Sequence, residues 1–83
     1  MRESAGWFAN DGSVGMKLLT ARQMISMLNV RGWSFVRQRG SHMVFRKIET
    51  GRMIVVPNHP GHTLSTGTQR RIMRDAGITP DEL

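Results

Sequence analysis

Cysteine is absent from these 83 residues, so neither a disulfide framework nor a thiolate zinc site is open to the chain. Long apolar runs are missing as well. Nothing approaches the roughly 20 consecutive apolar residues of a membrane-spanning helix, and the N-terminus lacks the basic-then-apolar order of a secretory signal. A soluble cytoplasmic protein without membrane contact is therefore expected, and no cofactor. Acids are scarce, six against twelve Lys and Arg, and between Lys17 and Arg74 the one acid is Glu49. A chain this short buries only about 60–65% of the surface its unfolded form exposes, so one core, held by packing alone, is all it can have.

What the sequence has in excess is positive charge. Eleven Lys or Arg stand between Lys17 and Arg74, a local balance of +10 inside a net charge of +6. Ten of the twelve cations are arginine. Its planar fork takes phosphate through two parallel hydrogen bonds and stacks on bases, which favours nucleic acid as the partner. A basic surface kept for solubility is the bland alternative. Membrane adsorption is weaker, because no segment joins a Lys/Arg face to a Trp/Phe/Leu face.

Residues 1–15 hold Gly6, Asn10, Asp11, Gly12 and Ser13 around the apolar pair Trp7 and Phe8, without sustained periodicity. They read as a flexible arm or extension, since Met16 followed by Lys17 would also serve as a chain start, and the domain is expected over residues 16–83. Thr20 and Gln23 have the spacing of a capping box. Behind them Ala21, Met24, Ile25 and Leu28 recur at helical spacing up to a stop at Gly32. The period then changes to two. Strands are expected over residues 33–38, 42–47 and 52–56, separated by Arg39-Gly40-Ser41 and Glu49-Thr50-Gly51 and ended by Pro57. A second helix starts from Ser65 or Thr66 and stops at Gly77, with Thr68, Ile72, Met73 and Ala76 inward and Arg70, Arg71 and Arg74 outward. The acidic tail over residues 79–83 is expected to fray. The order α-β-β-β-α makes an α+β two-layer sandwich, a three-stranded antiparallel meander with both helices on one face and the other face open.

His42 lies on the opposite parity from Met43 and Phe45, which places its imidazole on that open face beside Arg46. RNA carries its own nucleophile, the 2′-OH. A base to remove that proton and cations to stabilise the charged phosphorane are sufficient for cleavage, so His42 reads either as that base or as an ordinary surface histidine. Arg37, Arg39, Arg46, Arg70, Arg71 and Arg74 are the candidate phosphate contacts, with Ser41 and His59 beside them. His59 and His62, three apart, suggest a metal, but two ligands fall short of a zinc set and no metal is expected. Gly67-Thr68 either receives a phosphate on free N–H groups or simply caps its helix. Trp33 reads as core rather than as a stacking platform.

Several ordered motifs resemble the HicA (YcfA-like) family: Gly32-Trp33, Val36-Arg37-Gln38, Gly40-Ser41-His42 and Phe45, then Val55-Val56-Pro57, His59-Pro60-Gly61, Gly67-Thr68, Arg71-Ile72 and Asp75-Ala76-Gly77-Ile78. The resemblance spans residues 16 to about 78. It implies a double-stranded-RNA-binding-like fold, a ribosome-independent messenger RNA endonuclease acting as the toxin of a toxin–antitoxin pair, and a HicB-type antitoxin as partner. It also implies that the functional histidine is that of the Gly-Ser-His motif, here His42. Met43 departs from the pattern, where many relatives carry a second histidine, and so does Asn58, where the loop more often begins with one.

Two other functions fit the same charge: a noncatalytic RNA-binding module in which His42 is only a contact, and a DNA-binding or scaffold protein, which the A-form preference of this fold type disfavours. The low pattern of residues 1–15 gives a first test. Deleting them is expected to leave the melting temperature nearly unchanged; a cooperative loss of several degrees by calorimetry would mean that Trp7 and Phe8 dock on the domain.

Overall fold

Helix α1 begins where the capping box predicts. The Thr20 hydroxyl accepts the Gln23 N–H at 3.2 Å, and the Gln23 side chain accepts the Thr20 N–H at 3.0 Å. These contacts come from a computed structural model that describes residues 16–83; the arm expected over residues 1–15 lies outside them. α1 (Ala21–Val30) buries Ala21, Met24 and Leu28 along one stripe, with Ile25 partly buried beside them, and Gly32 follows at φ 93°.

Three strands follow: β1 (Trp33–Arg39), β2 (His42–Lys47) and β3 (Met53–Pro57). They pair antiparallel in the order β1-β2-β3, the expected meander. Gly40, at φ 57°, opens a two-residue loop between Arg39 and His42, the backbone that hairpins of this length require. Across β2, Met43 faces Val56 and Phe45 faces Ile54, while His42 faces Pro57 and Val44 faces Val55. On the β1 side the register slips between Phe35 and Arg37: Phe35 pairs with Phe45, but Arg37 pairs with Val44 and Arg39 with His42. Val36 is the extra residue of a β-bulge, and every side chain after it changes face. The sequence reading did not foresee this bulge.

Helix α2 (Thr66–Ala76) is capped by Ser65, whose hydroxyl accepts the Thr68 N–H at 3.3 Å. It ends at Gly77 in the left-handed region, φ 76°, with the Ile78 N–H returning to the Met73 carbonyl at 2.8 Å and the Ile78 side chain fully buried. Both helices lie on the sheet face that carries Phe45, Ile54 and Val56. Met24, Leu28, Ile72, Met73, Trp33 and Ile78 complete the core with them. The architecture is the α+β two-layer sandwich expected. None of the helices among the described residues is long and apolar enough to cross a membrane.

Two expectations need correction. The tail does not fray. Pro80–Glu82 form a 3-10 turn in which the Thr79 N–H donates to Glu82 at 3.0 Å, Arg31 forms an ion pair with Glu82, and Leu83 packs against the core. The acidity that suggested a solvated end is used to grip the end of α1. The inward face of α2 is also different, since Thr68 and Ala76 are only half-buried and the deep position belongs to Gln69, fully buried.

The Gln69 side chain accepts the Leu19 N–H at 2.7 Å and donates to the Lys17 carbonyl at 2.7 Å. Leu19 in turn accepts the Leu64 N–H at 2.7 Å. One amide thus fixes the entry to α1 against α2, satisfying a backbone donor and acceptor that no strand or helix provides for. Replacing it by leucine keeps the volume and orphans both groups. Gln69→Leu is expected to cost about 2–4 kcal/mol in urea unfolding. A loss of no more than about 0.5 kcal/mol, the range of ordinary surface substitutions, would show that the two backbone groups find other partners.

Candidate nucleic-acid interface

The uncovered sheet face is organised around β2. Its outward residues are His42, Val44 and Arg46, and cross-strand partners on one face stand about 4.5–5.5 Å apart. His42 therefore lies between Arg39 on β1 and Pro57 on β3, and Val44 between Arg37 and Val55. Val44 is only 7% exposed although no helix covers it, so the middle of this face is an apolar floor with a cationic rim. Without the bulge at Val36, strict alternation would send Arg37 and Arg39 to the helix side. The bulge puts both arginines on the face of His42.

Along the outer edge of β3, α2 rises beside the floor and closes one side of a groove of about 440 Å³, lined by His42, Met53, Val55, Arg71 and Asp75 among others. That volume lies within the roughly 300–1,000 Å³ range of sites that hold a small ligand or a fragment of a larger one. Arg71 and Asp75 are four residues apart, so both side chains stand on one flank of the helix. His42 and Arg71, nearly thirty residues apart in the chain, are brought to one groove by the packing of α2 against β3.

The other expected contacts are distributed around this centre. Arg37, Arg39 and Arg46 are exposed on the His42 face, and Arg74 is exposed on α2. Arg70 is half-buried and engaged in an interaction of its own. Ser41 is half-buried in the hairpin loop, where its carbonyl accepts the Asn58 N–H at 2.7 Å and ties that loop to the one after β3. His59 is exposed in this second loop, closed by the His62 N–H on the His59 carbonyl at 3.1 Å, and does not line the groove. Asn58 and Pro60 belong instead to a second hollow of about 590 Å³ with Thr20, Arg22, Ile25 and Met43, on the helix side of the sheet.

No cluster of three His, Cys, Asp or Glu that could hold a metal is found among the described residues. Thr68 at the start of α2 has its N–H taken by the Ser65 hydroxyl, which favours capping over phosphate binding there. Trp33 is core, 3% exposed, with Lys47 Nζ 6.0 Å from its ring centroid. Its Nε1 is buried with no hydrogen-bond partner among the described residues. Asp75, which also lines the groove, was not singled out from the sequence. The sequence signal that links it to the groove is its i, i+4 relation to Arg71.

Comparison with known proteins bears on the whole of this surface. A family model described as the HicA toxin of bacterial toxin–antitoxin systems matches residues 21–78. None of the curated proteins compared matches the chain. The matched span runs from the first residue of α1 to the residue that closes α2, and so contains the three strands, the bulge, His42 and both flanks of the groove. The chain belongs to the HicA toxin family of bacterial toxin–antitoxin systems.

Proposed function

We propose that this protein is an endoribonuclease that cleaves messenger RNA in the cytoplasm, with His42 as its catalytic base. The observation that carries the reading is the position of His42. It is an exposed imidazole on the uncovered sheet face, paired across the sheet with Arg39 and sharing a groove with Arg71, in a segment of balance +10. The RNA backbone is drawn to the arginine rim by its charge. His42 takes the proton of a 2′-OH, the 2′ oxygen attacks the adjacent phosphorus, and the bond to the 5′ oxygen breaks, leaving a 2′,3′-cyclic phosphate. The departing 5′ oxygen collects a proton from solvent. Arg39, paired across the sheet with His42, supplies positive charge to the phosphorane, so the reaction requires no metal.

A face that destroys cellular RNA has to be covered while the toxin is silent, and family membership supports a HicB-type antitoxin as the cover. Acidic antitoxin side chains opposite Arg37, Arg39 and Arg46 would bring fast, salt-sensitive association. They would also exclude RNA from the same arginines.

His42→Ala is expected to lower cleavage of a ribo-oligonucleotide about 10²–10⁴-fold while RNA affinity and melting temperature hold. The unaltered protein should spare the 2′-deoxy version, leave cyclic phosphate ends and work in EDTA. Full activity in a folded His42→Ala protein would falsify the assignment, and binding without cleavage by the unaltered protein would leave the noncatalytic RNA-binding module.

Affinity is expected to fall steeply with salt, as phosphate contacts require, and Arg39→Gln to reduce the slope of log affinity against log salt by up to about one unit. An unchanged slope would place the footprint away from the His42 end of β1.

A further inference from the structure

Asp75 is out of place on structural grounds. It is the last residue but one of α2, where the exposed carbonyls make the helix end negative and disfavour a carboxylate. It is half-buried, and among the described residues it accepts no hydrogen bond and pairs with no cation within 4.0 Å. It also lines a groove that would gather phosphate, where a negative charge repels the ligand's backbone. Neither the stability of α2 nor affinity for a polyanion is served by this side chain. A carboxylate that faces this groove is free to accept N–H donors from a ligand.

RNA has those donors on its bases. An ionised carboxylate accepts at both oxygens, and a guanidinium one turn away only donates, so the flank of α2 offers acceptor, acceptor, donor in that order. Among the four bases, guanine alone matches on its Watson–Crick edge, with N2–H and N1–H as adjacent donors and O6 as the acceptor next to them. Uracil presents one donor between two acceptors, and cytosine and adenine one amino donor each. The open face adds a reason to read a base by hydrogen bonds here: the outward residues on β2 and their cross-strand partners include no Phe, Tyr or Trp, so stacking there is left to His42 and the arginines.

The geometry points to a guanine-reading subsite in this groove, with the Asp75 carboxylate accepting from guanine N1 and N2 and Arg71 donating to O6, beside the phosphate that His42 serves. It rests on the reading of the groove as an RNA site, and makes Asp75 and Arg71 specificity-determining residues for single-stranded RNA.

The test separates binding from cleavage. Short single-stranded RNAs with one guanine, or with inosine or adenine in its place, are titrated by fluorescence anisotropy against the His42→Ala protein. The guanine RNA is expected to bind about ten-fold or more tightly than the inosine RNA, which lacks the N2 donor to a charged acceptor. Asp75→Asn should bring the guanine RNA down to the inosine level. Its melting temperature should stay level or rise, because a carboxylate has left the negative end of a helix. Equal affinity for guanine and inosine RNAs with Asp75 present overturns the subsite, as does an Asp75→Asn protein that keeps the preference.

Cleavage with His42 in place is scored separately on the same RNAs. Cleavage without guanine preference overturns the subsite and leaves the nuclease standing. Guanine-dependent binding without cleavage supports the subsite and removes the nuclease, and no binding of any RNA overturns both.

Discussion

The alternation of side chains along β2 is the constraint on which everything else in this molecule depends. As the middle strand it has a neighbour on each side, so its register is fixed twice, and a shift of one residue would exchange its two faces. Phe45 and Met43 face the helices, Phe45 fully buried and Met43 packed against the core, and that burial forces His42, Val44 and Arg46 onto the other side. The site is thus positioned by the hydrophobic effect acting on its neighbours. No contact of His42 itself is needed to aim the imidazole.

Around this strand, two devices decide what surrounds the histidine. The bulge at Val36 turns the end of β1 over, so that Arg37 and Arg39 join the His42 face. A bulge on an edge strand also breaks the regular ladder that would otherwise invite another chain to pair with it. The second device is the Gln69 amide. By holding residues 17 and 19 against α2, it ties the entry of α1 to the helix that carries Arg71 and Asp75. A fully buried polar side chain is tolerable here because each half of its amide has a backbone partner.

The surface that results is not uniformly basic. Its floor is Val44 with Val55 and Met53, its rim is arginine, and a single carboxylate interrupts the cationic flank formed by α2. Phosphate contacts on such a rim give affinity without sequence information, whereas groups that hydrogen-bond base edges carry the selectivity. The family to which the chain belongs consists of toxins paired with antitoxins, which implies an antitoxin as its partner.

Much of this was legible in the residues themselves, because local rules sufficed. The capping box at Thr20 and Gln23, the stops at Gly32 and Gly77, the three strands and the outward parity of His42 depend on spacings of a few residues, and so does the run of motifs that resembles the HicA family. The rest was decided only by tertiary structure. A bulge has no marker in the β1 sequence, because Val36 suits a strand as well as its neighbours do. Gln69 reads as a polar surface residue until its two backbone partners, fifty positions away, are brought to it. The tail is acidic and solvated by composition, yet Arg31 at the end of α1 gives Glu82 a partner and the core takes Leu83. Asp75 shares a groove with His42 only because α2 packs along the edge of β3. Periodicity assigns a residue to a face of its own element. Which faces then meet is settled by burying apolar surface from several elements at once, and that is a property of the whole chain.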